Sequence, residues 1–172
     1  MPVKDVVVGV DVGTGSARAG IFDTAGTMLG HASHAIAMWR EGADIVEQSS
    51  DDVWRAVCAS VRAAMAALAQ PVAVKGLGFT ATCSLVVLDK AGAPLSASTS
   101  GAAERNIIVW MDHRAKREAA LVNQTGAEVL RYVGGQISVA LLQILPIRHI
   151  YPYQYWVQHI LLPEVCLVHH RI

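Results

Sequence analysis

The sequence is poor in charge, sulfur and aromatic rings. Only 16% of its 172 residues are charged, 14 of each sign, and the net charge is zero. No basic surface suited to nucleic acid and no acidic tail can be assembled from that stock. Cys58, Cys83 and Cys166 are the whole cysteine inventory and form no C-x-x-C pair. An odd, scattered set fits a reducing, cytoplasmic location better than a disulfide framework. No window reaches the ~18 consecutive apolar residues of a membrane span. No basic stretch precedes an apolar one at the N-terminus, so no secretory leader is expected. What the chain does have is apolar mass: 53% of it is hydrophobic. That suffices for one ordinary domain and part of a second, and argues against global disorder.

The most informative stretch is GVDVGTGSARAGIFD, residues 9–23. A dinucleotide fingerprint needs a third glycine where Arg18 stands, and a helix where a second apolar run follows. A Walker A loop needs a Gly-Lys-Ser/Thr that is absent. A glycine hairpin remains. Gly13 and Gly15 permit positive φ and close approach of a ligand. Successive N–H groups in such a turn can form an anion-binding concavity, and Thr14 adds a hydroxyl. Asp11 would repel a phosphate unless a divalent cation, Mg²⁺ with its water shell, lies between them. Two readings stay open from these residues alone: a metal-plus-phosphate turn, and a plain hairpin with a solvated aspartate.

Around this turn the chain reads as α/β. Val6–Val10 is β-branched and nearly uninterrupted, as in a buried strand. Strands over 17–23 and 27–38 complete an antiparallel meander. Ser49-Ser50-Asp51-Asp52 carries an S-x-x-D start signal, and apolar residues at helical spacing run from Val53 to Leu68. Pro71 closes that helix near Gln70. Strands are expected over 74–80, 85–89 and 107–110, with a small, polar loop over 96–105. A helix over 115–122 follows. A second capping box, Thr125-x-x-Glu128, opens a short helix that Gly134-Gly135 ends. His31 and His34 face opposite sides of a strand and make a poor metal pair. After Val139 the character changes: three prolines and most tyrosines and histidines crowd into residues 140–172, without helical or strand periodicity.

Five segments together resemble the FGGY carbohydrate kinases, most closely their ribulokinase-like, pentulose-phosphorylating branch. They are VGVDVGTGSARAGIFD (8–23), VEQSSDDVW (46–54), VKGLGFTATCSLVVLD (74–89), NIIVWMDHRA (106–115) and YVGGQISV (132–139). They stand in family order and cover about residues 5–139. The resemblance implies the actin-like, RNase H-like ATPase fold, with only the first, N-terminal domain present and incomplete. It implies ATP and Mg²⁺ as cofactors, a small sugar as substrate, and neither nucleic acid nor membrane as partner. Asp11, Gly13, Thr14 and Gly15 match the loop that holds the terminal phosphates of ATP, with Asp11 facing the metal. Arg18 falls where the family often has a basic residue, and is otherwise an exposed strand charge. Thr82, Cys83 and Ser84 match the segment that approaches the sugar; Cys83 can equally be a small buried hydrophobe. The branch usually has aspartate where Thr80 stands, so the contact which that aspartate makes is not implied for this chain.

Trp110, Asp112 and Arg114 match the end of a strand lining the sugar pocket. An indole face can pack on C–H groups of a sugar, and the other two offer an acceptor and donors. Their alternative is a salt bridge at a strand-to-helix junction. Glu47 and Gln48 match a recurrent pair without an assigned role. The family's catalytic aspartate and adenosine pocket lie downstream and have no counterpart here. The expected function is therefore ATP-dependent phosphorylation of a ribulose-type pentulose by the family, with this chain inactive alone. Residues 1–139 are read as a partial kinase domain, and 140–172 as a truncated or frameshifted tail. A non-catalytic sugar- or phosphate-binding module, or another actin-like ATPase, are the other classes. The ATCSLV and WMDHRA segments argue against the latter.

Overall fold

The computed structural model describes residues 3–140 and the backbone of Val165–Leu167. The tail reading, and Cys166 and the C-terminal histidines with it, lie outside the described residues apart from that short strand. The chain divides into two compact units, Met1–Ala37 with Ser49–Thr82, and Met38–Gln48 with Cys83–Arg171. Among the described residues no helix is long and apolar enough to cross a membrane.

The first unit contains β1 (Lys4–Val12), β2 (Ser16–Asp23), β3 (Met28–Ala35), α1 (Ser50–Ala66) and β6 (Val72–Ala81). Its sheet runs β3-β2-β1-β6. The three-strand meander is antiparallel as expected, and β1 pairs with β6 in parallel. Such a parallel neighbour requires a crossover, and α1 supplies it. Sequence suggested a β1 buried throughout. Instead burial alternates: Val6, Val8, Val10 and Val12 are interior, whereas Val7 is 42% exposed. The interior row meets Ala17, Ala19 and Ile21 of β2 and Ala56, Val57 and Ala64 of α1 in one core.

The start of α1 follows its sequence signal. Ser49 is the N-cap, and its hydroxyl accepts from the Asp52 N–H at 3.3 Å. Asp51 and Asp52 in the first turn complement the helix dipole. The helix stops at Ala66, four residues short of the expected end, because Pro71 denies Gln70 the α conformation and the chain needs room to turn into β6. Ser60 rivets α1 to the sheet: its hydroxyl lies 2.9 Å from the carbonyls of Ala17 and Ala56. Contact is closest at Gly30 on β3, where a Cβ would stand 2.8 Å from the Ala64 carbonyl.

Helix α1 lies over β2 and β3 and reaches β1 less. It leaves β6 open. Val74, Leu77 and Phe79 are paired with Val6, Val8 and Val10, so they share the core face, yet they are 47%, 59% and 50% exposed. A bulge at Lys75 restores their register with β1.

The second unit contains β4 (Trp39–Glu41), β5 (Ile45–Gln48), β7 (Leu85–Asp89), β8 (Ile107–Ile108), α2 (Lys116–Gln124) and β9 (Val165–Leu167). Its sheet is antiparallel throughout, in the order β4-β5-β8-β7-β9. The third strand expected over 27–38 ends at Ala35, and Trp39 opens a separate strand. Strand β8 ends at Ile108, earlier than Trp110, because the chain turns there. The second capping box does not form. Thr125 donates its hydroxyl to the Val122 carbonyl, closing α2, and the 3₁₀ turn Glu128–Val133 begins without a side-chain cap. Gly134 ends that turn in the left-handed conformation, as predicted.

Two outcomes follow from these contacts. Gly30→Ala should destabilise the chain by about 1–3 kcal/mol in urea unfolding, since neither the helix carbonyl nor the strand can yield freely. Asp23 is held below its ordinary value of 3.8 by the hydrogen bond from Lys4, helped by the Thr27 and Ala25 N–H groups, while its desolvation opposes them. A lowered folded-state pKa stabilises above the unfolded value and loses that stabilisation as pH falls through the folded one. Asp23→Asn should therefore flatten the acid side of the melting-temperature profile below about pH 4, and leave the dependence above about pH 5 unchanged.

Candidate functional site

The β1–β2 connection is built by register. Asp11 and Arg18 are direct cross-strand partners, so both project from the sheet face opposite the Val8/Val10 row. They form an ion pair at 2.9 Å with side chains 49% and 57% exposed. Between them the chain turns through Gly13-Thr14-Gly15, and the Gly13 N–H donates to the Ser16 carbonyl at 2.9 Å. Neither Gly13 nor Gly15 takes positive φ, contrary to the sequence argument for these glycines. Their use is space. A Cβ on Gly13 would stand 2.7 Å from an Arg18 guanidinium nitrogen, and a Cβ on Gly15 would meet nothing within 4 Å. The fold itself gives Gly15 no steric reason to be glycine, which leaves its backbone open to an approaching ligand.

Among the described residues no group of three or more His, Cys, Asp or Glu could hold a metal ion. Asp11 alone suits a nucleotide-borne Mg²⁺, which typically takes one or two carboxylates and keeps waters and phosphate oxygens for the rest. Its accessible carboxylate fits that role once Arg18 gives way or turns to the phosphates.

Thr82 closes the first unit, its N–H donating to the Val12 carbonyl at 3.1 Å. Cys83 is exposed, so the buried-hydrophobe reading does not hold. The Ser84 hydroxyl accepts the Trp110 backbone N–H at 3.3 Å, bringing together the two segments of the second unit that the resemblance assigns to the sugar. Trp110 is 41% exposed.

Asp112 and Arg114 lie inside. Asp112 and Glu47 are both 0% exposed, and the Arg114 side chain is 10% exposed. The guanidinium forks onto both oxygens of Asp112, at 2.8 and 2.7 Å, and reaches Glu47 at 2.8 Å and the Ala97 carbonyl at 3.1 Å. The salt bridge weighed as an alternative is present. Burial works against the Arg114 charge, but hydrogen bonds to Asp112 and Glu47 outweigh it and hold its pKa above the ordinary value. Arg105 adds a second cation: it pairs with Glu41, stands 3.6 Å from the other oxygen of Glu47, and lies over the Trp39 ring at 5.2 Å. Glu47 had no role in the sequence reading. Its signal was there, a carboxylate in an apolar strand that burial forces to find cations.

An antiparallel meander followed by a helix and a parallel strand, with a glycine turn and an exposed carboxylate at the first hairpin, has the topology of the first domain of the actin-like fold. A solved xylulose kinase from Rhodospirillum rubrum shares this fold with a TM-score of 0.60 at 21% identity, over 74% of this chain and 25% of that one. A Plasmodium falciparum glycerol kinase solved with ADP does so at 0.57 and 14%, over 72% and 24%. The family model for the N-terminal domain of the FGGY family of carbohydrate kinases matches residues 6–140, and the chain belongs to that family. It is 46% identical over 134 residues to an FGGY carbohydrate kinase domain-containing protein of Xenopus laevis, covering 78% of this chain and 24% of that protein. It is 43% identical over 143 residues to a D-ribulokinase of Saccharomyces cerevisiae, covering 81% and 20%. The chain thus spans about a quarter or less of the length of these relatives.

Removing one member of the ionic cluster strands the others. Arg114→Ala takes the forked cation from buried Asp112 and leaves buried Glu47 with Arg105 at 3.6 Å, and should cost about 3–5 kcal/mol in denaturant unfolding.

Proposed function

We propose that this chain is the phosphate- and sugar-gripping portion of a kinase that transfers the terminal phosphate of ATP to a hydroxyl of a pentulose, with ribulose as substrate, in the cytoplasm. The accessible Asp11 carboxylate beside a glycine turn with open space above Gly15 carries the reading. The identity to a D-ribulokinase supports the substrate class. Gly13, Thr14 and Gly15 hold the terminal phosphates through backbone N–H groups and the threonine hydroxyl. Asp11 would hold the magnesium ion, and Arg18, its present partner, would serve a phosphate oxygen. Bound Mg²⁺ supplies neutralisation of charge on the phosphates. In the second unit Cys83, Ser84 and Trp110 meet the sugar, with Thr82 adjoining them in the chain. Trp110 packs on C–H groups and the hydroxyl of Ser84 bonds sugar hydroxyls.

Phosphoryl transfer needs a base at the acceptor hydroxyl and a nucleotide pocket. The resemblance puts both downstream of residue 139, so the chain binds without turning over. Calorimetric titration of the 172-residue chain tests this. D-ribulose should bind, Mg-ATP should bind more tightly than ATP with chelator, and Asp11→Asn should remove that difference, about tenfold in affinity. A coupled assay should detect no ADP formation. Absence of magnesium-dependent nucleotide binding would overturn the phosphate reading, and turnover would overturn the incomplete-site reading.

A further inference from the structure

We propose that Asp112 and Arg114 serve the sugar site as positioning residues, acting through Trp110, and do not themselves contact the sugar. The inference rests on the sugar reading above and divides the labour within its WMDHRA segment.

The hydrogen-bond capacity of the pair is spent. A carboxylate offers about four acceptor positions. Asp112 Oδ1 takes the Arg114 backbone N–H at 3.0 Å and its Nε–H at 2.8 Å; Oδ2 takes the Val46 N–H at 2.7 Å and an Nη2–H of Arg114 at 2.7 Å. Arg114 commits Nε–H, both Nη2 hydrogens and one Nη1 hydrogen to Asp112, Glu47 and Ala97, four of its five donors. With Asp112 fully buried, a sugar hydroxyl finds neither a free acceptor nor a path to one.

What these bonds hold is a turn. The Asp112 N–H donates to the Val109 carbonyl at 2.8 Å, closing a reversal with Trp110 and Met111 at its centre. Both corner residues are pinned to one residue of β5. The Val109 N–H donates to the Val46 carbonyl at 3.0 Å, and the Val46 N–H donates to the Asp112 carboxylate. The next N–H, of His113, donates to the Asp44 carbonyl at 2.7 Å. Asp112 therefore replaces a strand hydrogen bond where β8 has ended, Arg114 fixes that carboxylate, and buried Glu47 fixes Arg114. Trp110 is the side chain this arrangement delivers to solvent.

A double-mutant cycle read with ¹⁹F NMR separates positioning from contact. The chain is labelled with 5-fluorotryptophan, and the Trp110 signal is assigned by its loss in Trp110→Phe. Without ligand, Asp112→Asn should shift or split the Trp110 signal and leave that of Trp54 in place. In titrations with D-ribulose, Trp110→Ala and Asp112→Asn should each cut affinity about tenfold or more, and the double variant should lose no more than Trp110→Ala alone. Additive losses would mean that Asp112 touches the sugar. An unmoved Trp110 signal in Asp112→Asn would mean that it does not position the indole. Either result overturns the proposal. If Asp112→Asn does not fold, Arg114→Lys, which keeps the charge and loses the fork, carries the same arms. Failure of the wild-type chain to bind ribulose defeats the sugar reading, and the ligand-free signal alone then decides the positioning claim.

Discussion

The alternation of β1 governs what the first unit can present. Val6, Val8, Val10 and Val12 face the side of the sheet on which α1 lies, where Ala17, Ala19 and Ile21 of β2 and Ala56, Val57 and Ala64 of α1 complete one core. Side chains on a strand alternate with period two, so this burial sends Asp11 to the opposite face. Pairing then places Arg18 directly across from it. A slip of one residue would drive the carboxylate into the valine core and bring a valine out. The Asp11–Arg18 pair and the open glycine turn thus follow from hydrophobic burial one strand away.

The second unit solves a different problem. Its strands are short, and its sheet carries Glu47, Gln48 and Asn106 at buried positions next to Ile107, Ile108 and Val109. Two carboxylates without water demand cations with well-aligned donors. Arg114 meets that demand with a fork on Asp112 and a third bond to Glu47, and Arg105 stands by the remaining oxygen. Such a cluster adds little net stability over an apolar core, yet it tolerates only one arrangement of its members. The geometry it selects runs through the Val46 peptide to the turn that exposes Trp110.

Much of the architecture was legible in the chain, element by element. The Asp11-x-Gly13-Thr14-Gly15 hairpin, the Ser49 cap and the apolar stripe of α1, and the Gly134 stop are local devices, and each formed where its residues stood. The misreadings share a cause. Thr125 donates to the Val122 carbonyl behind it and accepts the Ala127 N–H ahead of it, so the capping box with Glu128 does not close. Helix α1 ended early because Val72 had to enter the sheet. Gly13 and Gly15 do not use the positive φ that their type allows, and a Cβ on Gly13 would crowd the Arg18 guanidinium instead. Cys83 lies exposed between the strands Val72–Ala81 and Leu85–Asp89, where the apolar character of a thiol did not bury it.

Local pattern by itself determined the meander, the helix that follows it, and the turn with its acidic neighbour. These depend on residues within a turn or a strand of one another, where sterics and hydrogen-bond chemistry act directly. Tertiary structure alone decided the fates of Asp112, Arg114 and Glu47. Glu47 lies more than sixty positions before the other two in the chain, and their meeting depends on β5 pairing with β8. Whether a carboxylate bonds a ligand or an internal arginine is set by burial and by which donors arrive first, and both are properties of the folded chain.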